Sequence, residues 1–389
     1  MSPAISSRRR MAGLSLIELM IAMVIGLIMM LGVVQIFIAS RAASQLSEGL
    51  ARTQENARFA LDFLQRDLRM AGHFGCVNDQ AHVVKGNNAI GYHIAGVVSG
   101  SGVPLDFSVP IQGYEAGGTA PTNSLTIGAA WQPAIAAPAS ITGLKPAPSP
   151  GSDILVLRFF HPDGVPIASL TSASTESKVG ISSDGAQRLS AGVSGGPTVF
   201  GVADCNRAEV FTGTLAGTTV TADATDLSRY AANNAVTMLY RAEAVVYYVA
   251  NNGTEPALYR ARAGSGGAYG AGEELVEGIE SLQLLYGLDA TANISRATPP
   301  TGNIVEQQAG NGVSTATTAA AVNQWRRVGL VQVGLLARSP QQAAAEAPKV
   351  ADNYLGVLGT TIVPPATDDK RFRASYEVSV ALRNRLFGN

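Results

Sequence analysis

Leu14 to Ser40 reads LSLIELMIAMVIGLIMMLGVVQIFIAS, with Glu18 as its only ionisable residue. A helix rises about 1.5 Å per residue and a bilayer core is about 30 Å thick, so roughly 20 apolar residues cross it. The stretch is long enough. Upstream, residues 1–13 (MSPAISSRRRMAG) gather Arg8, Arg9 and Arg10, which favours a cytoplasmic N-terminus and an exported body. An ordinary secretory signal has a shorter apolar region that ends at its small-residue cleavage site. Here the small pair Ala12-Gly13 precedes the apolar run. A plain membrane anchor would explain the run but not Glu18. A carboxylate in an apolar helix is costly and has a partner or a job.

Beyond Arg41 the pattern becomes amphipathic. Leu46, Leu50, Thr53, Ala57, Leu61, Leu64, Leu68 and Ala71 recur every three or four residues, with Glu48, Arg52, Glu55, Arg58, Asp62, Arg66 and Asp67 between them. One helix is expected from about Leu14 to Met70, ending near Gly72, a suitable residue for the position past a helix end.

The remainder of the chain reads as β-rich. Glycine is abundant, at 42 of 389 residues, and clusters with Ser, Thr, Ala and Asn. Asp153–Phe160, Ala242–Ala250, Ala257–Arg262, Gly278–Leu288, Arg327–Ala337 and Phe372–Leu382 are expected strands, with a hairpin turn at Asn251-Asn252-Gly253. The expected fold class is α+β: a long N-terminal apolar helix packed on an antiparallel sheet head with a large insertion. The expected divisions are a leader (1–13), a transmembrane half-helix (14–40), an amphipathic half-helix (41–71), a Gly/Ser/Thr-rich β insertion (72–235) and a C-terminal antiparallel region (236–389).

The basic leader, Gly13, and then Leu14-Ser15-Leu16-Ile17-Glu18 resemble the class III signal of type IV prepilins. The resemblance implies cleavage by a prepilin peptidase between Gly13 and Leu14, and N-methylation of Leu14. It also implies that Glu18, fifth in the mature chain, pairs with the N-terminal amine of a neighbouring subunit and sets axial register. Pairing offsets the cost of a carboxylate in lipid. The family more often has Phe where Leu14 stands. Pilin-like proteins dock the second half of the helix on their own sheet, and that arrangement is expected in preference to a coiled coil. The stretch from Glu274 through Ser281 to Asp289 resembles PilW-type minor pilins. So do the AGHFGC end of the helix (71–76), Val333–Ser339 and Arg373–Arg385. Residues 86–235 have no such counterpart.

The resemblance implies a type IV pilus minor pilin that takes part in priming pilus assembly, in or at the tip of the pilus, supporting twitching motility and adhesion. Its implied partners are the peptidase, other minor pilins, the major pilin, the assembly platform, a tip adhesin and inner-membrane lipid. The expected location is the inner membrane, head in the periplasm, and then the pilus. The nearest alternative is a minor pseudopilin of a type II secretion system. A membrane-anchored periplasmic hydrolase is the alternative from another class.

No catalytic, cofactor or metal site is expected. Basic and acidic residues nearly balance, 28 against 29, which gives no charge excess for nucleic acid. His73, His82, His93 and His161 are scattered without ligand spacing. Gly192-Val193-Ser194-Gly195-Gly196 matches the nucleophile-elbow pattern, but that elbow needs a strand before it and a helix after it. A flexible loop is expected there. Cys76 and Cys205 are the only cysteines; export favours a disulfide between them over two buried thiols.

Overall fold

In the computed structural model, Leu16 opens a 55-residue α-helix, the spine, that runs without a break to Met70. The structure describes residues 15–78, 90–127, 137–343 apart from 174, 252, 296 and 316–317, then 355–363 and 369–385. Ala71 N–H donates to the Leu68 carbonyl at 3.1 Å, and Gly72 turns the chain away at a φ of +73°. That conformation strains any residue with a β-carbon, so glycine ends the helix here.

The head carries twelve-, four- and three-stranded sheets and a short hairpin, His73–Phe74 with Val77–Asn78. Its organising element is the strand Met238–Asn251, rich in β-branched and aromatic residues and buried along almost its whole length. One edge pairs with Val165–Pro166 and with Ile154–Phe160, which in turn pairs with Ile111–Tyr114. The other edge is shared. Residues 238–241 pair with Val199–Ala203, and residues 245–251 pair with Pro256–Arg262. The sheet therefore forks between Arg241 and Val245.

One branch continues through Ala208–Ala216, Thr219–Asp223, Glu176–Gly180 and Ser169–Ser172; the other ends with Glu273–Glu277. Two pairings are parallel: Ile90–His93 on 208–211, and Thr360–Val363 on Ser124–Thr126. The rest are antiparallel. The line expected at 235/236 falls inside one sheet, because Ile154–Phe160 pairs directly with residues 242–247. The hairpin closes with Asn251 opposite Pro256; its middle residue, Asn252, lies outside the described residues.

Gly278 is where the chain leaves this sheet. Its φ of +77° redirects the backbone from Glu277 to Ile279, the start of the four-stranded sheet. A β-carbon there would sit 2.6 Å from the Arg338 carbonyl oxygen. The order in that sheet is Ile304–Gln308, Ile279–Asp289, Val328–Arg338, Arg373–Ala381.

The main core joins Ala57, Ala60, Leu64 and Leu68 of the spine to both sheets, through residues such as Leu157, Val245, Leu282, Val333 and Leu335. The insertion has a separate core made of Val165, Ile181, Phe200, Phe211, Val220, Leu239 and their neighbours. It is a packed unit of its own, joined to the rest of the head through the forked strand.

Candidate functional site: an uncovered half-helix and its docking on the head

From Leu16 to Ile38 no large apolar side chain is less than 45% exposed. Water would penalise so much uncovered apolar surface, at roughly 25 cal/mol per Å². This half of the spine is long and apolar enough to cross a bilayer.

Ser15 caps the helix. Its hydroxyl accepts from Glu18 N–H at 3.2 Å, and Glu18 Oε2 accepts from Ser15 N–H at 3.0 Å. The reciprocal pair is a capping box, whose Ser-x-x-Glu spacing was present in Ser15-Leu16-Ile17-Glu18. Within the single chain, Glu18 is thus engaged with its own helix start. Gly13, Leu14, Arg8, Arg9 and Arg10 lie outside the described residues.

The second half of the spine docks through small residues. Gly49, Thr53, Ala57, Ala60, Leu64 and Leu68 are its buried positions. The expected stripe matches at Thr53, Ala57, Leu64, Leu68 and Ala71, with Leu61 partly buried. Leu46 and Leu50 are instead exposed, and Gly49 and Ala60 take part. Close approach to the head selects side-chain size, which a count of apolar residues misses. Thr53 sends its hydroxyl back to the Gly49 carbonyl at 2.7 Å, so no polar atom is stranded at the contact.

Polar contacts fix the rotation of the helix. Asn56 Nδ2 donates to the Glu277 carbonyl at 3.1 Å, beside the Gly278 corner. Tyr247 donates its hydroxyl to Asp67 Oδ2 at 2.5 Å, with the Arg260 guanidinium 3.6 Å from the same oxygen. Burial pushes the Asp67 carboxyl above the usual range, opposed by the Tyr247 hydrogen bond and by Arg260. From the C-terminal end, Asn384 Nδ2 reaches the Arg69 carbonyl at 3.0 Å. Near the Gly278 corner, Glu255 bridges Arg338 and Arg371 at 2.7 Å each. Glu280 bridges Arg338 at 3.0 Å and Arg373 at 2.8 Å, and Asp369 closes on Arg373 at 2.6 Å.

Cys76 and Cys205 form a disulfide with their Cα atoms 4.8 Å apart. It ties the hairpin that follows the spine to the turn between Val199–Ala203 and Ala208–Ala216, and so ties the spine to the insertion. His73 Nδ1 lies 2.9 Å from the Phe160 carbonyl, and burial lowers its pKa. His93 faces Glu209 at 3.4 Å and His161 faces Asp163 at 3.6 Å; His82 lies outside the described residues. Among the described residues no three His, Cys, Asp or Glu side chains gather as metal ligands.

Ser194 is exposed on the loop between the helix Ser183–Ser190 and the strand Val199–Ala203. That order, helix then strand, is the reverse of a nucleophile elbow. The cavity it borders, about 550 Å³, is lined by Arg241, Glu243, Arg262 and glycine-rich loops, with no histidine among its walls.

Two stretches match known families. Residues 8–34 match the prokaryotic N-terminal methylation motif. Residues 246–384 match the type IV pilus-assembly protein W family; they begin just past the fork and take in the Gly278 corner and the four-stranded sheet on which the spine docks. Both matches agree with the resemblance to PilW-type prepilins that the sequence carries at its two ends. A solved type IV-like pilin from Thermus thermophilus is similar at 17% identity, over 38% of this chain and 67% of that one, with a TM-score of 0.21. No curated protein matches. A prepilin methylation motif followed by an apolar helix, with a match to a pilus-assembly family in the head, makes the chain similar to membrane-anchored proteins of type IV pili.

Proposed function

We propose that this minor pilin takes part in priming type IV pilus assembly, sits in or at the tip of the pilus, and supports twitching motility and adhesion. The observation that carries the reading is the division of one continuous helix: an uncovered apolar half, then a half locked to the head. A rigid spine of this kind transmits the placement of the membrane half directly to the head. The peptidase would cut between Gly13 and Leu14 and the new amine would be methylated. Glu18 would then exchange its capping contacts for the amine of a neighbouring subunit. Other minor pilins, the major pilin, the assembly platform and a tip adhesin are the partners this requires. The head would lie in the periplasm before extension. The action is mechanical and templating, with no enzymatic step.

Deletion of the gene, complemented by wild type or by Glu18→Ala, tests the reading. The expected result is loss of twitching with protein secretion intact, restored by wild type alone. Lost secretion with twitching intact would assign the protein to a type II secretion system instead.

A further inference from the structure

The last turns of the spine pass the fork of the large sheet, and a cavity of about 620 Å³ opens between them. That volume is in the range of small-molecule sites. Arg66 and Arg69 line it from the spine; Arg241, Arg260 and Arg262 line it from the forked strand and its neighbour. Three carboxylates face these five arginines, Asp62, Asp67 and Glu243, so cations exceed anions by two along the walls. Two of the three are already engaged. Asp67 accepts from Tyr247 and faces Arg260, and Glu243 holds Arg241 at 2.6 Å and Arg262 at 3.2 Å. Glu273, outside the cavity, draws Arg260 and Arg262 at 3.1 and 3.5 Å. His161, on the same wall, has its pKa lowered by burial and by the Arg241 charge.

Three of the arginines keep donors to spare. The Arg241 side chain is only 7% exposed. Its Nε donates to Glu243, and its Nη1 to the carbonyls of Leu189 and Ala191 at 2.8 and 2.7 Å. A guanidinium has five N–H donors. The two on Nη2 meet no acceptor among the described residues, and buried donors are normally paired, so they call for an acceptor from outside the chain. Arg66 is exposed and makes no ion pair or hydrogen bond among the described residues, and Arg69 donates only to the neutral Gln65, at 3.3 Å. Phe63 and Met70, both partly buried, set apolar surface beside these donors. Asp62 stands 24 positions after Ile38, roughly 36 Å further along the helix, so the cavity lies well clear of the apolar half.

We infer that this cavity binds a sugar acid, a ring that carries one carboxylate. The carboxylate accepts from Arg241 Nη2, and Arg66 adds a second guanidinium from the spine; hydrogen bonds between charged partners are the strong ones. The C–H face of the ring lies against Phe63 and Met70. A bare anion would use the charge without the apolar wall, and a neutral sugar the wall without the charge. An acidic peptide is recognised along a sheet edge or an extended groove, which a cavity of this size between a helix and a fork does not supply. The site does not depend on the chain priming pili, since it is built within one subunit.

The test is calorimetric titration of the full chain in detergent micelles, disulfide intact, with glucuronate as the probe and glucose, acetate and inorganic phosphate beside it. Glucuronate is expected to bind with a Kd below about 1 mM, and the other three at least about tenfold more weakly. Arg66→Ala removes an exposed side chain and strands no partner, so it should unfold in urea like wild type while losing about tenfold in glucuronate affinity. Arg66→Glu should lose the binding altogether, and Lys178→Ala, remote on the insertion, should keep it. No binding of glucuronate at about 10 mM would overturn the proposal. So would equal binding of acetate or phosphate, which would make the cavity a place for any small anion, or equal binding of glucose, which would leave the arginines without a role. Unchanged affinity in Arg66→Glu would place the ligand elsewhere. An oligoglutamate peptide that displaces glucuronate at far lower concentration would give the cavity to an acidic protein partner instead, and the sugar-acid proposal would fall.

Discussion

The backbone of Gly49 meets Ala343 so closely that a β-carbon on Gly49 would lie 2.5 Å from the Ala343 methyl carbon. This contact sets how near the spine lies to the head at its membrane-facing end. Gly49→Leu should force the two apart and lower head stability by about 1–3 kcal/mol, even though leucine is the better helix former by nearly 1 kcal/mol. Leu50→Ala, on an exposed neighbour, should change stability little. Urea unfolding of both variants checks the contrast; equal effects would mean that the close approach is not what positions the spine.

Removing the Tyr247 hydroxyl should matter more at neutral than at acid pH. Its bond to Asp67 favours the ionised carboxylate, whose burial raises its pKa. In Tyr247→Phe that pKa should rise further. A raised carboxyl contributes stability at low pH that is lost as pH climbs through its folded-state pKa. The variant should therefore match wild type near pH 3 and fall behind by about 1–3 kcal/mol at pH 7. Unfolding free energies across that range read the divergence, and a constant difference would count against it.

Glu280 is 4% exposed and lies between two arginines. Glu280→Ala would leave Arg338 and Arg373 short of a counter-charge in a dry place, at a cost of about 3–5 kcal/mol. Thermal unfolding should show a large drop in midpoint. Lys178→Ala, whose partner Glu176 is exposed, supplies the near-neutral control.

The disulfide spans 129 positions of sequence. On the chain-entropy account, closing a loop of that size stabilises the fold by about 5 kcal/mol. Cys76→Ser with Cys205→Ser should lower stability by up to that amount, measured by urea unfolding beside reduced wild type. Agreement between the reduced protein and the double variant would separate the crosslink from packing of the sulfur atoms.

Much of the spine could be read from the chain because its signals are local. The apolar run, the charges after Arg41 and the stop at Gly72 all act within a few residues, and the observed helix, Leu16–Met70, follows them. The late strands were legible for the same reason. Which strands pair was not. Ile154–Phe160 reads as a strand by itself, but nothing near it says that it lies beside residues 242–247. For that reason the insertion could not be seen as a second packed unit joined through a forked strand. The hydrogen bond from Ala116 N–H to the Asp153 carboxyl was equally hidden, since 37 positions separate residues that only the fold brings together. At Ser15-Leu16-Ile17-Glu18 the signal was present but read for a single purpose, assembly, when the same spacing also caps the helix.

The central claim is that this chain is processed as a prepilin and works as an assembled subunit. The most direct measurement is N-terminal mass spectrometry of the protein from membranes and sheared pili, beside a Gly13→Ala variant. The account predicts a mature chain that begins with N-methylated Leu14 in wild type and is absent from the variant. An intact Met1 start in wild type would contradict it, leaving a plain anchored protein and removing the assembly role proposed for Glu18.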